Sequence, residues 1–188
     1  MSVEDSAAPP NETAAEVGGV LHDHGSTVAV AESLTGGLLV EALARIAGSG
    51  DWLLGGVVAY HRSVKHDVLG VTATKVVSAD AAAEMATGVR LLLGGDVSVA
   101  VTGVAGPDPQ DGEPPGTVWL AVDLGDGPAT ELLSATGTPA EICEQAVEAA
   151  LRFLVTALQR AGLGSRSQAP GQGLRRSAAG NSSGVAET

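Results

Sequence analysis

Ser33 sits where the apolar run Val28-Ala29-Val30-Ala31 gives way, through Glu32-Ser33-Leu34-Thr35-Gly36-Gly37, to a helical pattern. A strand-to-helix turn of this kind presents a hydroxyl at the edge of a sheet. Beside it, the helix start leaves backbone N–H groups open to negative charge. A serine so placed can be a nucleophile with a ready oxyanion site; the same placement also suits an ordinary helix N-cap. A nucleophilic serine needs a base. The histidines serve poorly: His22 and His24 close a helical segment before Gly25, and the spacing of His61 and His66 does not bring two imidazoles to one helix face. Lys65 is the better candidate, because Ser–Lys pairs are a variant of triad chemistry and burial or a neighbouring cation lowers a lysine pKa. Tyr60, at a strand end just before it, could relay a proton or orient the amine. A solvated surface lysine and a tyrosine at the edge of a core are the ordinary alternatives. The turn Thr102-Gly103-Val104-Ala105-Gly106-Pro107 supplies a third feature, since its glycines let backbone N–H groups approach an anion. It is neither a dinucleotide fingerprint nor a Walker loop, and a plain sharp turn would read the same way.

The elements that must position these residues alternate along the chain. Helical patterns cover 12–24, 37–47, a short stretch at 63–69, then 79–93 behind the N-cap Ser78, and 139–158 with Pro139 in its first turn. Strands are predicted at 27–32, 56–60, 96–102, 117–124 and 129–135, the last two joined across Gly125-Asp126-Gly127. Residues 103–116 read as a loop. Strands interleaved with helices, plus one hairpin, predict a single-domain α/β fold with a mixed sheet. In such sheets ligands gather at the carboxyl ends of strands, where Ser33, Tyr60 with Lys65, and Thr102-Gly103-Val104-Ala105-Gly106 would meet on one rim.

Composition narrows the partners. Hydrophobic residues make up 44% of the 188, enough for a core, but aromatics only 2%, so the core must be built from Ala, Val, Leu and Ile. A formal charge of −12 argues against nucleic acid and anionic membrane surfaces as partners. A lone Cys143 forms no internal disulfide, which fits a reducing compartment. The acidic start lacks an apolar signal segment, and no apolar run approaches the ~20 residues of a membrane span; a cytoplasmic protein is the expectation. Residues 1–11 and the Gly/Ser/Arg-rich 162–188 have the composition of disordered segments. That tail carries Arg166, Arg175 and Arg176 against Glu187, a net +2, leaving −14 on the rest with seven basic residues. An anionic substrate must then be held by few cations or by backbone N–H groups.

An ordered set of motifs sharpens this reading. Ala31-Glu32-Ser33, Thr35-Gly36-Gly37, Ala47-Gly48-Ser49, Tyr60 with Lys65, and Leu69-Gly70-Val71 are followed by Val77-Ser78, Met85-Ala86, Thr102-Gly103, Ala105-Gly106-Pro107 and Gly116-Thr117-Val118. In this order they resemble the CinA C-terminal-domain family over roughly 12–160. The resemblance implies a three-layer α/β/α domain, commonly a homodimer, that needs no metal and no cofactor. It implies a nicotinamide-nucleotide amidohydrolase that converts nicotinamide mononucleotide to nicotinate mononucleotide and ammonia in pyridine nucleotide recycling. Some relatives carry a further N-terminal pyrophosphatase-like domain; this chain reads as the stand-alone form. By the same resemblance Ser33 is the nucleophile, Lys65 the base and Tyr60 its polar partner. Glu32, Thr35, Gly36 and Gly37 form the turn on the substrate side, with backbone donors around Thr35–Gly37, and Thr102, Gly103 and Gly106 form the second wall.

The chain also departs from the family pattern. Where the family reads Gly-Asp-Arg followed by further arginines, this sequence has Gly137-Thr138-Pro139-Ala140-Glu141-Ile142-Cys143-Glu144. His61 and Arg62 replace a small polar residue and an asparagine after Tyr60, and Pro109-Gln110-Asp111 replaces a Gly-Gly loop. Arg62 is then the residue expected to grip a substrate phosphate. The departures leave two other readings: a nucleotide-binding module of the same fold without turnover, and a hydrolase of a less anionic amide.

Overall fold

The computed structural model describes residues 11–164. In chain order it has α1 (Glu12–His24), β1 (Val28–Glu32), α2 (Leu38–Ala44), a 3-10 turn (Ser49–Asp51), β2 (Leu53–Val58), α3 (Arg62–Asp67), α4 (Ala79–Leu93), β3 (Val97–Gly103), β4 (Thr117–Asp123), β5 (Pro128–Ser134) and α5 (Pro139–Arg160). The strands form one sheet in the order β2-β1-β3-β4-β5. β2, β1 and β3 run parallel, while β4 and β5 return antiparallel. Glu32, the last residue of β1, lies opposite Val58 of β2 and Val101 of β3. Three carboxyl ends therefore finish at one level, and the residues after them share a rim.

The side-chain period of a strand divides the core in two. Val28, Val30, Val99 and Val101 pack with α1, α2 and α5 on one face. Ala29, Ala31, Ala100 and Ala121 lie under α4 on the other, with Met85. The result is an α/β/α arrangement around a mixed sheet. α4 also lies close against the segment after α3: a Cβ on Gly88 would stand 2.0 Å from the Leu69 carbonyl oxygen. The buried Asp123 carboxylate binds Arg90 Nε and Thr87 Oγ1, each at 3.0 Å, tying α4 to the end of β4.

Some boundaries differ from those the sequence predicts. The second strand runs over Leu53–Val58 rather than 56–60. Gly55 and Gly56 weaken the strand signal there, yet Gly56 is required, because a Cβ would meet Val40 Cγ2 at 2.4 Å. The helix expected at 37–47 is shorter, because Gly37 (φ +112) is outside it and Arg45 ends it. At the amino end Asn11 is ordered as the N-cap of α1, its side chain accepting the Ala14 N–H. At the other end Leu163 packs on the core and donates its N–H to the Leu158 carbonyl at 2.9 Å. The folded unit thus takes in residue 11 and residues 162–164, and the expectations for 1–10 and 165–188 lie outside the described residues.

The packing sets a contrast between two helical glycines. Gly88→Ala should lose about 2 kcal/mol through overpacking, roughly 4–8 °C in Tm at this chain size. Gly19→Ala, on the exposed face of α1 with nothing within 4 Å of the added Cβ, should hold or raise Tm. Thermal melts of the two variants side by side check both directions.

Candidate active site

The turn after β1 is built by its own hydrogen bonds. Ser33 N–H donates to Val101 O at 3.0 Å, continuing the β1–β3 ladder by one residue, and Gly36 N–H donates to Ser33 O at 3.1 Å. Glu32 is fully buried. Its carboxylate accepts from the N–H groups of Gly37 (3.0 Å), Leu39 (3.1 Å) and Val40 (2.8 Å), satisfying the start of α2. These bonds correct the expected roles of three residues. Glu32 holds the helix instead of facing substrate, and Gly36 and Gly37 have their N–H groups engaged within the turn. The N–H groups of Leu34 and Thr35 find no acceptor among the described residues. The buried Thr35 hydroxyl likewise has no hydrogen-bond partner among them.

Lys65 is the largest departure from an ordinary surface lysine. It rides on α3, whose start is capped by His61, the ring accepting the Ser63 N–H. The helix is directed so that Lys65 is only 1% exposed, with Nζ 2.8 Å from Ser33 Oγ and 2.6 Å from the Ala59 carbonyl oxygen. Ala59 in turn donates its N–H to Glu32 O at 2.7 Å. Among the described residues no carboxylate pairs with the amine. Burial and the nearby Arg62 guanidinium lower its pKa from 10.5 to about 8, against an opposing pull from Asp111.

The other expected site residues divide. Tyr60 borders the cavity beside Ser33 but is 71% exposed, and the group that orients Lys65 is the Ala59 carbonyl. Gly103 and Gly106 line the same cavity. Gly103 admits no side chain, since a Cβ would come within 2.5 Å of Thr117 O. Thr102 does not line it; its hydroxyl donates to Val76 O at 2.7 Å, which fixes the neighbouring loop. Arg62 does not line it either. Its guanidinium bridges Asp111 Oδ1 at 2.9 Å and Thr74 O at 3.0 Å. Asp111 also accepts the N–H groups of Val76 and Val77, at 2.6 and 3.2 Å. Asp108 and Gln110 face the cavity without having been assigned a role from sequence. The signal for Asp108 was its place directly after Gly106-Pro107 at a strand end; Gln110 had none.

The cavity at the rim is about 120 Å³. A wider depression of about 410 Å³ beside α4, lined by Leu69, Glu84, Gly88 and Leu91, holds no nucleophile with a base. Among the described residues no cluster of three or more His, Cys, Asp or Glu could hold a metal ion, and no helix is long and apolar enough to cross a membrane.

The buried amine carries a stability signature with a definite sign. Its folded pKa of about 8 lies below the value of 10.5 for a free side chain. Between those values the unfolded chain binds a proton that the folded chain does not, so stability rises with pH across that window. Lys65→Met removes this linkage. The Tm of Lys65→Met relative to the native chain should therefore be higher at pH 7 than above pH 10, and paired melts at the two pH values check it. A difference independent of pH would mean that the native lysine is not desolvated.

The profile of the CinA C-terminal domain matches residues 10–158 of this sequence. The CinA-like protein of Frankia casuarinae is 41% identical over 138 residues, covering 71% of this chain and 32% of that protein. The CinA-like protein of a Synechococcus strain is 42% identical over 121 residues, 61% of this chain and 29% of its own length. The chain spans about a third of the length of the curated relatives it matches. Among solved structures, a competence-damaged protein (CinA) superfamily protein of Klebsiella pneumoniae superposes with a TM-score of 0.77 at 33% identity, over 81% of this chain and 99% of that one. A competence/damage inducible protein of Agrobacterium tumefaciens gives 0.72 at 32% identity, over 80% and 98%. With most of its described length matched in sequence and in fold, the chain belongs to the CinA C-terminal-domain family.

Proposed function

We propose that this chain hydrolyses a carboxamide through Ser33 and Lys65, with nicotinamide mononucleotide as the substrate that the family resemblance implies. The supporting observation is the buried Lys65 amine 2.8 Å from Ser33 Oγ. A lysine kept only for structure would pair with a carboxylate, because an unpaired buried ammonium is costly. Here its two partners are a hydroxyl and a backbone carbonyl. A neutral amine fits those partners well: one N–H donates to Ala59 O while the lone pair accepts the Ser33 O–H. A lowered lysine pKa behind a serine that lines a cavity is the usual mark of a group recruited for chemistry.

The reaction then follows from the geometry. Ser33 Oγ attacks the carboxamide carbon as its proton passes to Lys65 Nζ. The C–N bond breaks, the same proton goes to the departing nitrogen, and ammonia leaves an acyl ester on Ser33. Water attacks that ester, giving a proton to Lys65, which returns it to Ser33 Oγ as the carboxylic acid is released. The developing oxyanion would be met by the N–H groups of Leu34 and Thr35, the open donors of the turn.

Ammonia release tests this reading. Ser33→Ala should lose at least ~10³-fold in turnover while remaining folded, and a folded variant with most of its activity would overturn the serine mechanism. Lys65→Arg should be nearly as damaging as Lys65→Ala, because arginine keeps the charge but cannot take a proton near neutrality. Since the working lysine must be neutral, kcat/KM should rise with pH through about 8 and then level. A profile flat across that range would leave Lys65 an electrostatic role alone.

A further inference from the structure

We infer that Asp108 is a specificity-determining residue of this cavity. Its carboxylate reads a positive charge on the ring that bears the carboxamide, so that the preferred substrate class is an amide on a cationic aromatic ring. This rests on the hydrolase reading above and names the feature of the substrate that the site selects.

Placement is the first ground. Asp108 lines the same cavity of about 120 Å³ as Ser33, and among the described residues it is the charged side chain that does so. In so small a space a charge on the wall acts at short range on any ring that presents its amide to the serine.

Availability is the second. Asp111, three positions on, is spent on structure: it binds the Arg62 guanidinium and the N–H groups of Val76 and Val77. Asp108 is exposed and makes no hydrogen bond or ion pair among the described residues. It is not the counter-ion of the base either, since the charges that act on Lys65 are those of Arg62 and Asp111. Yet its backbone is well held. Pro107 and Pro109 flank it and restrict the chain on both sides. Gln110 and Glu113 then exchange N–H···O bonds of 3.1 and 2.9 Å. The fold therefore keeps a carboxylate at the cavity without using it.

The chemistry of the lining gives a third ground. Tyr60, the only tyrosine of the chain, borders the cavity with 71% of its surface exposed. An aromatic ring carries negative potential on its faces, so an accessible tyrosine and a carboxylate around one small space together suit a cation. A neutral ring gains no charge attraction from Asp108 and still displaces water from it.

The test uses the full chain and two ligands that differ only in ring charge, nicotinamide mononucleotide and its neutral phenyl counterpart, benzamide mononucleotide. Ribose and phosphate are common to both, so their contacts cancel in the comparison. Calorimetric binding is measured on Ser33→Ala and on Ser33→Ala with Asp108→Asn, at low salt and at about 0.3 M salt. Ser33→Ala should prefer the cationic ring by about tenfold, with less preference at high salt. Asp108→Asn should cut that preference to about twofold by weakening the cationic ligand alone. Equal affinity for the two ligands in Ser33→Ala would overturn the inference. So would an Asp108→Asn variant that keeps the preference, or one that weakens both ligands to the same degree, as loss of a merely structural contact would. Binding of neither ligand would overturn it as well. Ammonia release by the native chain is read in parallel. If the cationic ligand binds with the expected preference but releases no ammonia, the hydrolase reading fails and the charge recognition stands.

Discussion

Glu32 ties the site together through both its main chain and its side chain. Its carbonyl receives the Ala59 N–H, and Ala59 in turn presents its own carbonyl to Lys65. Its buried carboxylate gathers the first N–H groups of α2 and thereby fixes the turn that carries Ser33. A carboxylate bonded by three backbone donors is tolerated at the centre of the fold because each bond is charge-assisted. Nucleophile and base approach each other from separate elements, and one residue sets the height of both.

Lys65 illustrates the tension between fold and chemistry. An amine enclosed without a counter-charge is destabilising, and its lowered pKa expresses that cost as a preference for the neutral form. The surroundings do not remove the cost by supplying a carboxylate at hydrogen-bond distance. They supply acceptors that a neutral amine can use. The Arg62–Asp111 bridge stands just outside this arrangement, its two charges acting on the amine in opposite directions. It also joins α3, the 74–77 segment and the loop after Gly106, so the same pair that shapes the electrostatics holds the cavity wall.

The scarcity of aromatics shapes the architecture more than it weakens it. Small side chains beneath α4 bring that helix close to the sheet, and Gly88, Gly56 and Gly103 mark places where backbone and neighbour nearly touch. Close packing of this kind leaves little room inside the core, and the small cavity at the strand ends is in keeping with it.

The sequence by itself determined what depends on neighbours along the chain. The Ser78 cap and Gly94 stop delimit α4, Pro139 opens α5, and the Gly125-Asp126-Gly127 turn joins β4 to β5. The ordered motifs carried the family and with it the pairing of Ser33 with Lys65 as a candidate. The β2 boundary was hidden because Gly55 and Gly56 dilute the strand pattern, and the pairing that imposes it comes from β1. What only the tertiary structure decided is where the polar groups point. Glu32 turned to the helix start, Thr102 to Val76, and Arg62 to an aspartate 49 positions away. Hydrogen bonds between distant segments leave no periodic trace in a sequence. A side chain's partner is therefore settled only when the strands have aligned and the loops have met.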